Sequence, residues 1–210
     1  MIVVLDYGMG NLRSVQKGFE AVGHRVKVSS DPEVVGNAKA IVLPGVGAFQ
    51  DCMDNLKNLN LVEPIKHCVS SKKPFLGICL GFQLLFTESE EFGNCKGLGL
   101  LPGKVFRFPD NFNLPQKNGD RIKIPHMGWN SISKKKRNFL LKDISEGSYF
   151  YFVHSYYVAP EDKEIISTTT NYGIEFVSGI CREKVFAFQF HPEKSQLLGL
   201  KILKNFGDIV

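Results

Sequence analysis

Apolar residues in the first half of the chain follow two alternating patterns. Four short continuous runs are typical of buried strands: residues 2–5, 25–28, 40–43 and 74–78. Three segments have apolar residues at helical spacing and predict helices: residues 11–22, 61–69 and 80–86. Strands that alternate with helices predict a mostly parallel sheet with helices on both faces.

The second half of the chain has a different pattern, with short strand-like runs separated by turn residues. These runs are residues 105–108, 122–124, 129–132, 149–153, 165–170, 176–181 and 185–188. They predict antiparallel strands added to the parallel core, and residues 196–206 predict a final helix. Residues 116–120 are predicted to be a mobile loop. We therefore expect one α/β domain over residues 1–210.

Composition and charge exclude some classes of function. The formal charge is +5, but the basic residues are scattered, apart from one run at residues 134–137. That run is compatible with a phosphate or an acidic partner, but a solvated hairpin tip is favoured, and no nucleic-acid binding is expected. No apolar stretch is long enough to cross a membrane. The five cysteines form no CxxC pair, which favours a reducing cytoplasm.

The strongest chemical signal is the segment Gly77-Ile78-Cys79-Leu80-Gly81, where a buried strand leads directly into a helix. This is the arrangement of a nucleophile elbow, with sulfur as the nucleophile. Glycines two residues before and after the nucleophile leave room for a tight, strained turn. The helix N-terminus favours a thiolate. An inert buried cysteine is the alternative for a bare Gly-x-Cys-x-Gly, but the strand-to-helix context favours a nucleophile.

A thiol nucleophile needs a base, and one of the five histidines has a suitable setting. His191 follows a buried strand, and Glu193 comes two residues later. In an extended segment both side chains leave on the same face, so Glu193 can hold the imidazole tautomer. A histidine at a strand end is more often structural, but an elbow cysteine in the same sheet favours a catalytic pair.

A glycine-rich loop, Pro44-Gly45-Val46-Gly47, follows the third predicted strand. Loops at the carboxyl ends of parallel strands converge on one crevice, so this loop should face the elbow. Its backbone N–H groups, together with that of Leu80, are candidates for an oxyanion hole. Alone, the loop would be an ordinary β-turn.

Two further features of the sequence each have two possible interpretations. Gln83 lies one helical turn after the elbow cysteine, where its amide can recognise another amide, or simply lie on a helix surface. Gly8 and Gly10 after the first strand suggest a dinucleotide fingerprint, but the third glycine position is occupied by Arg13. A nicotinamide or flavin site is therefore not expected.

Together these segments resemble the class I (triad) glutamine amidotransferases, which carry an elbow, a glycine-rich oxyanion loop and a late His-Pro-Glu. The resemblance covers nearly the whole chain and implies a flavodoxin-like fold. Five segments resemble the branch of that family that works with a (β/α)8-barrel cyclase: residues 6–11, 44–49, 125–130, 151–156 and 189–195.

The resemblance implies that L-glutamine is the substrate and that no cofactor or metal is needed. It implies a catalytic triad of Cys79, His191 and Glu193, with the backbone of residues His154, Ser155 and Tyr156 holding the α-carboxylate end of glutamine. It also implies that four residues lie at or near the interface with the cyclase: Asn11, Trp129, Tyr151 and Lys194. In that branch the ammonia is used to make imidazole glycerol phosphate and an aminoimidazole carboxamide ribotide for histidine and purine synthesis.

Two alternatives remain open for the activity. Related glutaminases serve surface-sugar amidation through a similar barrel partner. A stand-alone cysteine hydrolase of the same fold, acting on peptides or γ-glutamyl compounds, is the other. A scaffold with an inactive triad is disfavoured because all three triad residues are present.

Overall fold

The structure is a computed structural model that describes residues 1–109 and 123–210. The strands in this part of the chain are β1 (Ile2–Leu5), β2 (Val26–Ser29), β3 (Ala40–Gly45), β4 (Phe75–Cys79), β5 (Phe86–Ser89), β6 (Cys95–Lys96), β7 (Leu101–Arg107), β8 (His126–Ser131), β9 (Ser133–Lys134), β10 (Tyr149–His154), β11 (Tyr156–Pro160), β12 (Ile166–Tyr172), β13 (Ile174–Arg182) and β14 (Val185–Phe188). The α-helices are α1 (Leu12–Ala21), α2 (Pro32–Gly36), α3 (Phe49–Asn58), α4 (Val62–Ser70), α5 (Leu80–Gln83) and α6 (Gln196–Gly207). Short 3-10 turns cover Phe139–Leu141, Lys163–Ile165 and Pro192–Lys194.

The main sheet is mixed and contains 12 strands among the described residues. Its path runs β2-β1-β3-β4-β14-β13-β11-β7-β5-β6, with β12 against β13 and β9 against β12. The strands from β2 to β14 along this path are mutually parallel. From β14 onwards most pairs are antiparallel. A separate antiparallel pair joins β8 and β10. The predicted parallel core with added antiparallel strands is confirmed.

Helices cover both faces of the parallel part. Alternate residues of β1 point to opposite sides, so Val3 and Leu5 pack with α2, α3 and α4, and Ile2 and Val4 pack with α1 and α6. All four residues of β1 are buried, as expected for a strand covered on both faces. The apolar residues packed on the two faces of the sheet therefore hold the carboxyl ends of β3, β4 and β14 at one edge.

The predicted helix at residues 80–86 is wrong beyond its first turn. The helix ends at Gln83, and Phe86 begins β5. The carbonyl groups of Leu84 and Leu85 accept hydrogen bonds from the N–H groups of Leu98 and Leu100, at 2.8 and 2.9 Å. These contacts from a distant segment replace the bonds that a longer helix would make, so tertiary structure ends the helix.

Other elements were missing from the predicted pattern. Helix α3 was not predicted, although its buried residues Phe49, Cys52, Met53 and Leu56 have helical spacing. Strands β5, β6, β9 and β11 were also not predicted. Strands β5, β6 and β11 are polar or partly exposed. Strands β6 and β9 have only two residues each, too few to give a periodic signal.

Two predictions concern segments at the limits of the described residues. The predicted loop at residues 116–120 and part of the predicted strand at 122–124 lie outside them. The basic run at 134–137 is largely exposed, as predicted, but it is not a hairpin tip, because β9 pairs with β12 and Lys135 donates its backbone N–H to the carbonyl of Ser167. Within the described ranges no helix is both long and apolar enough to cross a membrane.

Candidate active site

Cys79 lies at the sharp turn where β4 passes into α5. Its backbone has φ 54° and ψ −109°, a conformation that L-residues rarely adopt. The side chain is buried, with 5% exposure. The strained turn places the thiol at the carboxyl end of β4, where it lines a pocket. The next residue, Leu80, is the first of α5.

The two elbow glycines are required by contacts with neighbouring segments. A Cβ atom on Gly81 would overlap the carbonyl oxygen of Leu43 and lie 2.8 Å from its carbonyl carbon. A Cβ atom on Gly77 would lie 3.0 Å from the carbonyl oxygen of Gly81 and 3.1 Å from the Cβ of Ala187. The reason predicted for these glycines, a lack of room around the turn, is the one the structure gives.

His191 and Glu193 form a buried pair after β14. His191 Nδ1 lies 2.8 Å from Glu193 Oε1, and both side chains are 2% exposed. The segment between them is a 3-10 turn rather than the predicted extended chain, but the two side chains still meet. Since Nδ1 faces a carboxylate, it carries the proton, and Nε2 is left for the reacting side of the ring.

The charge state of His191 depends on its two neighbours. Burial disfavours the imidazolium, but interactions with Cys79 and the hydrogen bond to Glu193 outweigh it and raise the pKa of His191. Nε2 is buried without a hydrogen-bond partner among the described residues. On the charged ring this Nε2 carries a proton that no described protein group accepts, so it is available to a reacting group in the pocket.

The glycine-rich loop packs directly against the elbow. Gly45 pairs in register with Cys79, and a Cβ atom on Gly45 would lie 2.9 Å from the backbone nitrogen of Gly81. The Tyr7 hydroxyl donates a hydrogen bond to the carbonyl of Pro44 at 2.7 Å. Gly47 has φ +99°, which favours glycine. The predicted oxyanion residues therefore lie around the elbow.

One pocket of about 340 Å³ opens over Cys79, at the lower end of the range usual for small-ligand sites. It is lined by Val46, Gly47, Cys79, Leu80, Gln83, Glu91, Pro125, Val153, His154, Ser155 and Tyr156. All four predicted substrate residues are in this lining. Of the predicted oxyanion residues, Gly45 lies behind the lining and the other three are part of it.

Gln83 is not a surface residue. Its amide nitrogen donates to the carbonyl of Tyr156 at 3.0 Å and to Oε1 of Gln189 at 3.1 Å. Gln189 is fully buried, and its own amide nitrogen lies 3.7 Å from the Cys79 sulfur. The sequence analysis missed Gln189, because a glutamine at a strand end has no distinctive local pattern.

Two other residues near the site were also missed. Glu91 brings a carboxylate into the pocket, and its Oε2 accepts the backbone N–H of Phe49 at 2.7 Å. Burial raises the pKa of Glu91. Ser195 accepts the N–H of Tyr151 at 3.0 Å and donates to the carbonyl of His191 at 2.6 Å, so it joins the histidine loop to β10.

Three of the four predicted interface residues form one cluster. The Trp129 and Tyr151 rings meet edge to face at 6.2 Å, and Lys194 Nζ lies 5.8 Å from the centre of the Tyr151 ring. Asn11 instead caps α1 by accepting the N–H of Ser14 at 3.3 Å, and the described contacts do not join it to this cluster.

Residues 3–209 match the family described as Glutamine amidotransferase class-I. The chain belongs to this family, and the predicted family, fold and class of enzyme are confirmed: it is a glutamine amidotransferase.

Among curated relatives, imidazole glycerol phosphate synthase subunit HisH of Syntrophotalea carbinolica is 56% identical over 209 residues, covering 100% of both chains. The same subunit of Aquifex aeolicus is 54% identical, covering 97% of this chain and 94% of its own. Among solved structures, PurLQS from Thermotoga maritima matches with a TM-score of 0.72 and 17% identity, covering 99% of this chain and 97% of the other. A likeness at that identity supports the fold alone.

Proposed function

We propose that this chain is the glutaminase subunit of an imidazole glycerol phosphate synthase, and that it hydrolyses L-glutamine to L-glutamate and ammonia at Cys79. The observation that carries this proposal is the convergence of three segments on one pocket in a chain 56% identical to a HisH subunit. These segments are the elbow, the glycine-rich loop and residues 153–156 at the junction of β10 and β11. The buried pair of His191 and Glu193 follows β14, the strand that pairs with β4 beside the elbow.

In the first step the Cys79 thiolate attacks the carboxamide carbon of glutamine. A carbon–sulfur bond forms, and the carbonyl electrons move to oxygen. The backbone N–H of Leu80 and one N–H from Pro44–Gly47 would meet this oxyanion. This proposed role is supported by the close packing of Gly45 against Gly81 at the start of α5.

In the second step the carbon–nitrogen bond breaks. His191 gives its Nε2 proton to the leaving nitrogen, and ammonia departs from a γ-glutamyl thioester. His191 then takes a proton from water, which attacks the thioester and releases glutamate and Cys79. Glu193 keeps the proton on Nδ1 and stabilises the charged ring, for which the 2.8 Å hydrogen bond is the support.

Substrate recognition would use both ends of the pocket. The backbone of His154, Ser155 and Tyr156 is proposed to hold the α-carboxylate. The Glu91 carboxylate is suited to the α-ammonium group, because it lines the same pocket and carries the opposite charge. Gln83 would act mainly as a support, since its amide nitrogen already donates to two protein oxygens.

Ammonia released into neutral water would mostly become ammonium, which is a poor nucleophile. A sealed path into a (β/α)8-barrel cyclase partner is therefore proposed. The cluster of Trp129, Tyr151 and Lys194 is the proposed contact. Exposed apolar residues nearby support a docking surface: Met127, Tyr149 and Leu197 are 62%, 58% and 82% exposed. The proposed location is the cytoplasm, because the five cysteines form no CxxC pair, which favours a reducing compartment.

The test is co-expression with the barrel subunit of the same organism. Glutamine hydrolysis coupled to formation of imidazole glycerol phosphate supports the proposal. Glutamine hydrolysis without that product, or nitrogen transfer to a sugar acceptor through another barrel protein, supports the surface-sugar alternative. Hydrolysis of γ-glutamyl peptides at the full rate without any partner would instead indicate a stand-alone hydrolase.

A further inference from the structure

Two buried histidines have side chains that take no part in the proposed reaction: His154, in the wall of the pocket, and His126 behind it. His126 and His154 face each other across β8 and β10 and are 2% and 6% exposed. His126 Nδ1 lies 2.9 Å from His154 Nε2. The rings of Phe152 and Tyr172 stack on His126 at centroid distances of 4.8 and 3.9 Å, so the pair is held in a fixed orientation.

The hydrogen-bond partners define one proton arrangement for the pair. His154 Nδ1 lies 2.8 Å from the carbonyl oxygen of Tyr156, so this nitrogen must donate. In the neutral ring Nε2 is then an acceptor, and His126 donates to it from Nδ1. His126 Nε2 accepts in turn from the Asn130 amide nitrogen at 3.2 Å. That nitrogen also donates to the carbonyl of Asn171 at 2.9 Å, which fixes the amide orientation.

Both rings are neutral at ordinary pH. Burial lowers the pKa of His126 to about 4. Burial, helped by the neighbouring His126, lowers the pKa of His154 to about 3. An added proton on either ring would also direct two N–H groups at each other or at a donor amide, which opposes protonation. Each ring therefore keeps one donor and one acceptor.

The chain of hydrogen bonds continues from this pair to the thiol. The Tyr156 carbonyl accepts from His154 and also from the Gln83 amide. Gln83 donates to Gln189, whose amide nitrogen lies 3.7 Å from the Cys79 sulfur. The first donor in this chain is His126 Nδ1–H, and its loss leaves the buried acceptor His154 Nε2 unsatisfied.

We propose that His126 is a positioning residue for substrate binding. Its Nδ1–H donor holds His154, and through it the Tyr156 carbonyl, in the orientation in which residues 153–156 form the wall of the pocket. The inference rests on the proposed hydrolysis of glutamine, because its kinetic effect is on that substrate. His126 does not line the pocket itself, so it acts only through His154.

The test compares three variants in complex with the barrel partner. In His126→Asn the side-chain amide can occupy the Nδ1 position, whereas in His126→Gln it reaches only the Nε2 position and leaves His154 without its donor. His67→Asn, at an exposed position on α4, is the matched control.

We expect His126→Gln to raise KM for glutamine about tenfold, the effect of leaving one buried acceptor unsatisfied. Its kcat should stay within about threefold, because Cys79 and His191 are not displaced. His126→Asn should return KM to within about threefold of wild type. A purely structural role would lower folded protein without separating KM from kcat, and Asn would rescue no better than Gln.

A second measurement does not depend on catalysis. In 15N-labelled wild type, both imidazole rings should show a protonated Nδ1 and an unprotonated Nε2, with slowly exchanging protons. A protonated Nε2 in either ring overturns the arrangement. An unchanged KM in His126→Gln, in an enzyme that does hydrolyse glutamine, overturns the positioning role. Absence of glutamine hydrolysis in wild type would overturn the proposed function instead, and the NMR result would still decide the proton arrangement.

Discussion

Substitution of Gly81 by alanine should show how closely the elbow depends on its neighbours. The added methyl carbon would overlap the Leu43 carbonyl oxygen and lie 2.8 Å from its carbonyl carbon. The obstacle is the backbone of β3, which pairs in register with β4 from Ile41 to Gly45. No side-chain rotation relieves the overlap, so α5 must move away from the sheet.

The expected loss lies at the upper end of overpacking effects, about 3 kcal/mol. For a chain of this length that loss lowers Tm by roughly 6–12 °C. Moving the start of α5 also displaces the Cys79 thiol, and a displacement of about 1 Å can reduce the rate about a hundredfold. Gly77→Ala should be milder, because its methyl group would meet neighbours at 3.0 and 3.1 Å.

The assay combines thermal unfolding with glutamine hydrolysis in the complex. Gly36→Ala is the matched control, since a Cβ atom there has no neighbour within 4 Å and its φ is not positive. If Gly81→Ala unfolds at the same temperature as Gly36→Ala and retains the wild-type rate, the turn has room and the account of the elbow is wrong.

Three further predictions concern the chemistry. Cys79→Ala should abolish glutamine hydrolysis, because covalent catalysis would be lost, and should leave partner binding intact in a pull-down. Residual activity within about tenfold of wild type would exclude a nucleophilic role for Cys79. Glu193→Gln should destabilise the fold most at about pH 6, because Glu193 is, after Cys79, one of the two groups that raise the pKa of His191. The raised pKa of His191, about 10 against 6.5, stabilises the fold below pH 6.5 and that contribution is lost as pH rises towards 10; urea unfolding from pH 6 to 10 should show the difference from wild type shrinking, and a constant difference would refute the linkage. The free chain should hydrolyse glutamine about a hundred- to thousandfold more slowly than the complex with acceptor analogue, if one oxyanion donor of the Pro44–Gly47 loop is turned away at rest; equal steady-state rates would mean a preformed oxyanion hole.

The elbow was predictable because its signal is local. Glycines lie two residues on either side of Cys79, between a buried strand and a helix. These five residues are enough to predict the tight turn. The contact between His191 and Glu193 was predictable for the same reason, although the turn between them was not. The parallel core followed from strands and helices that alternate, each with its own hydrophobic period.

The length of α5 shows where local patterns end. Leu84, Leu85 and Phe86 continue a helical pattern, but hydrogen bonds from residues 98–101 take up the carbonyl groups that a helix would use. A local propensity of a few tenths of a kcal/mol per residue does not outweigh such contacts. The same limit applies to Glu91, whose carboxylate reaches the pocket only because the loop after β5 returns to the start of α3.

The sequence by itself determined the family, the mostly parallel fold, the elbow and the identity of the candidate nucleophile and base, because each rests on residues close together in the chain or on a repeated local pattern. Only the tertiary structure decided which groups surround the thiol. Gln83 meets Gln189 across 106 residues, and His126 meets His154 across 28. Such contacts depend on strand register and packing, which bring distant residues within hydrogen-bonding distance and leave no periodic trace in the sequence.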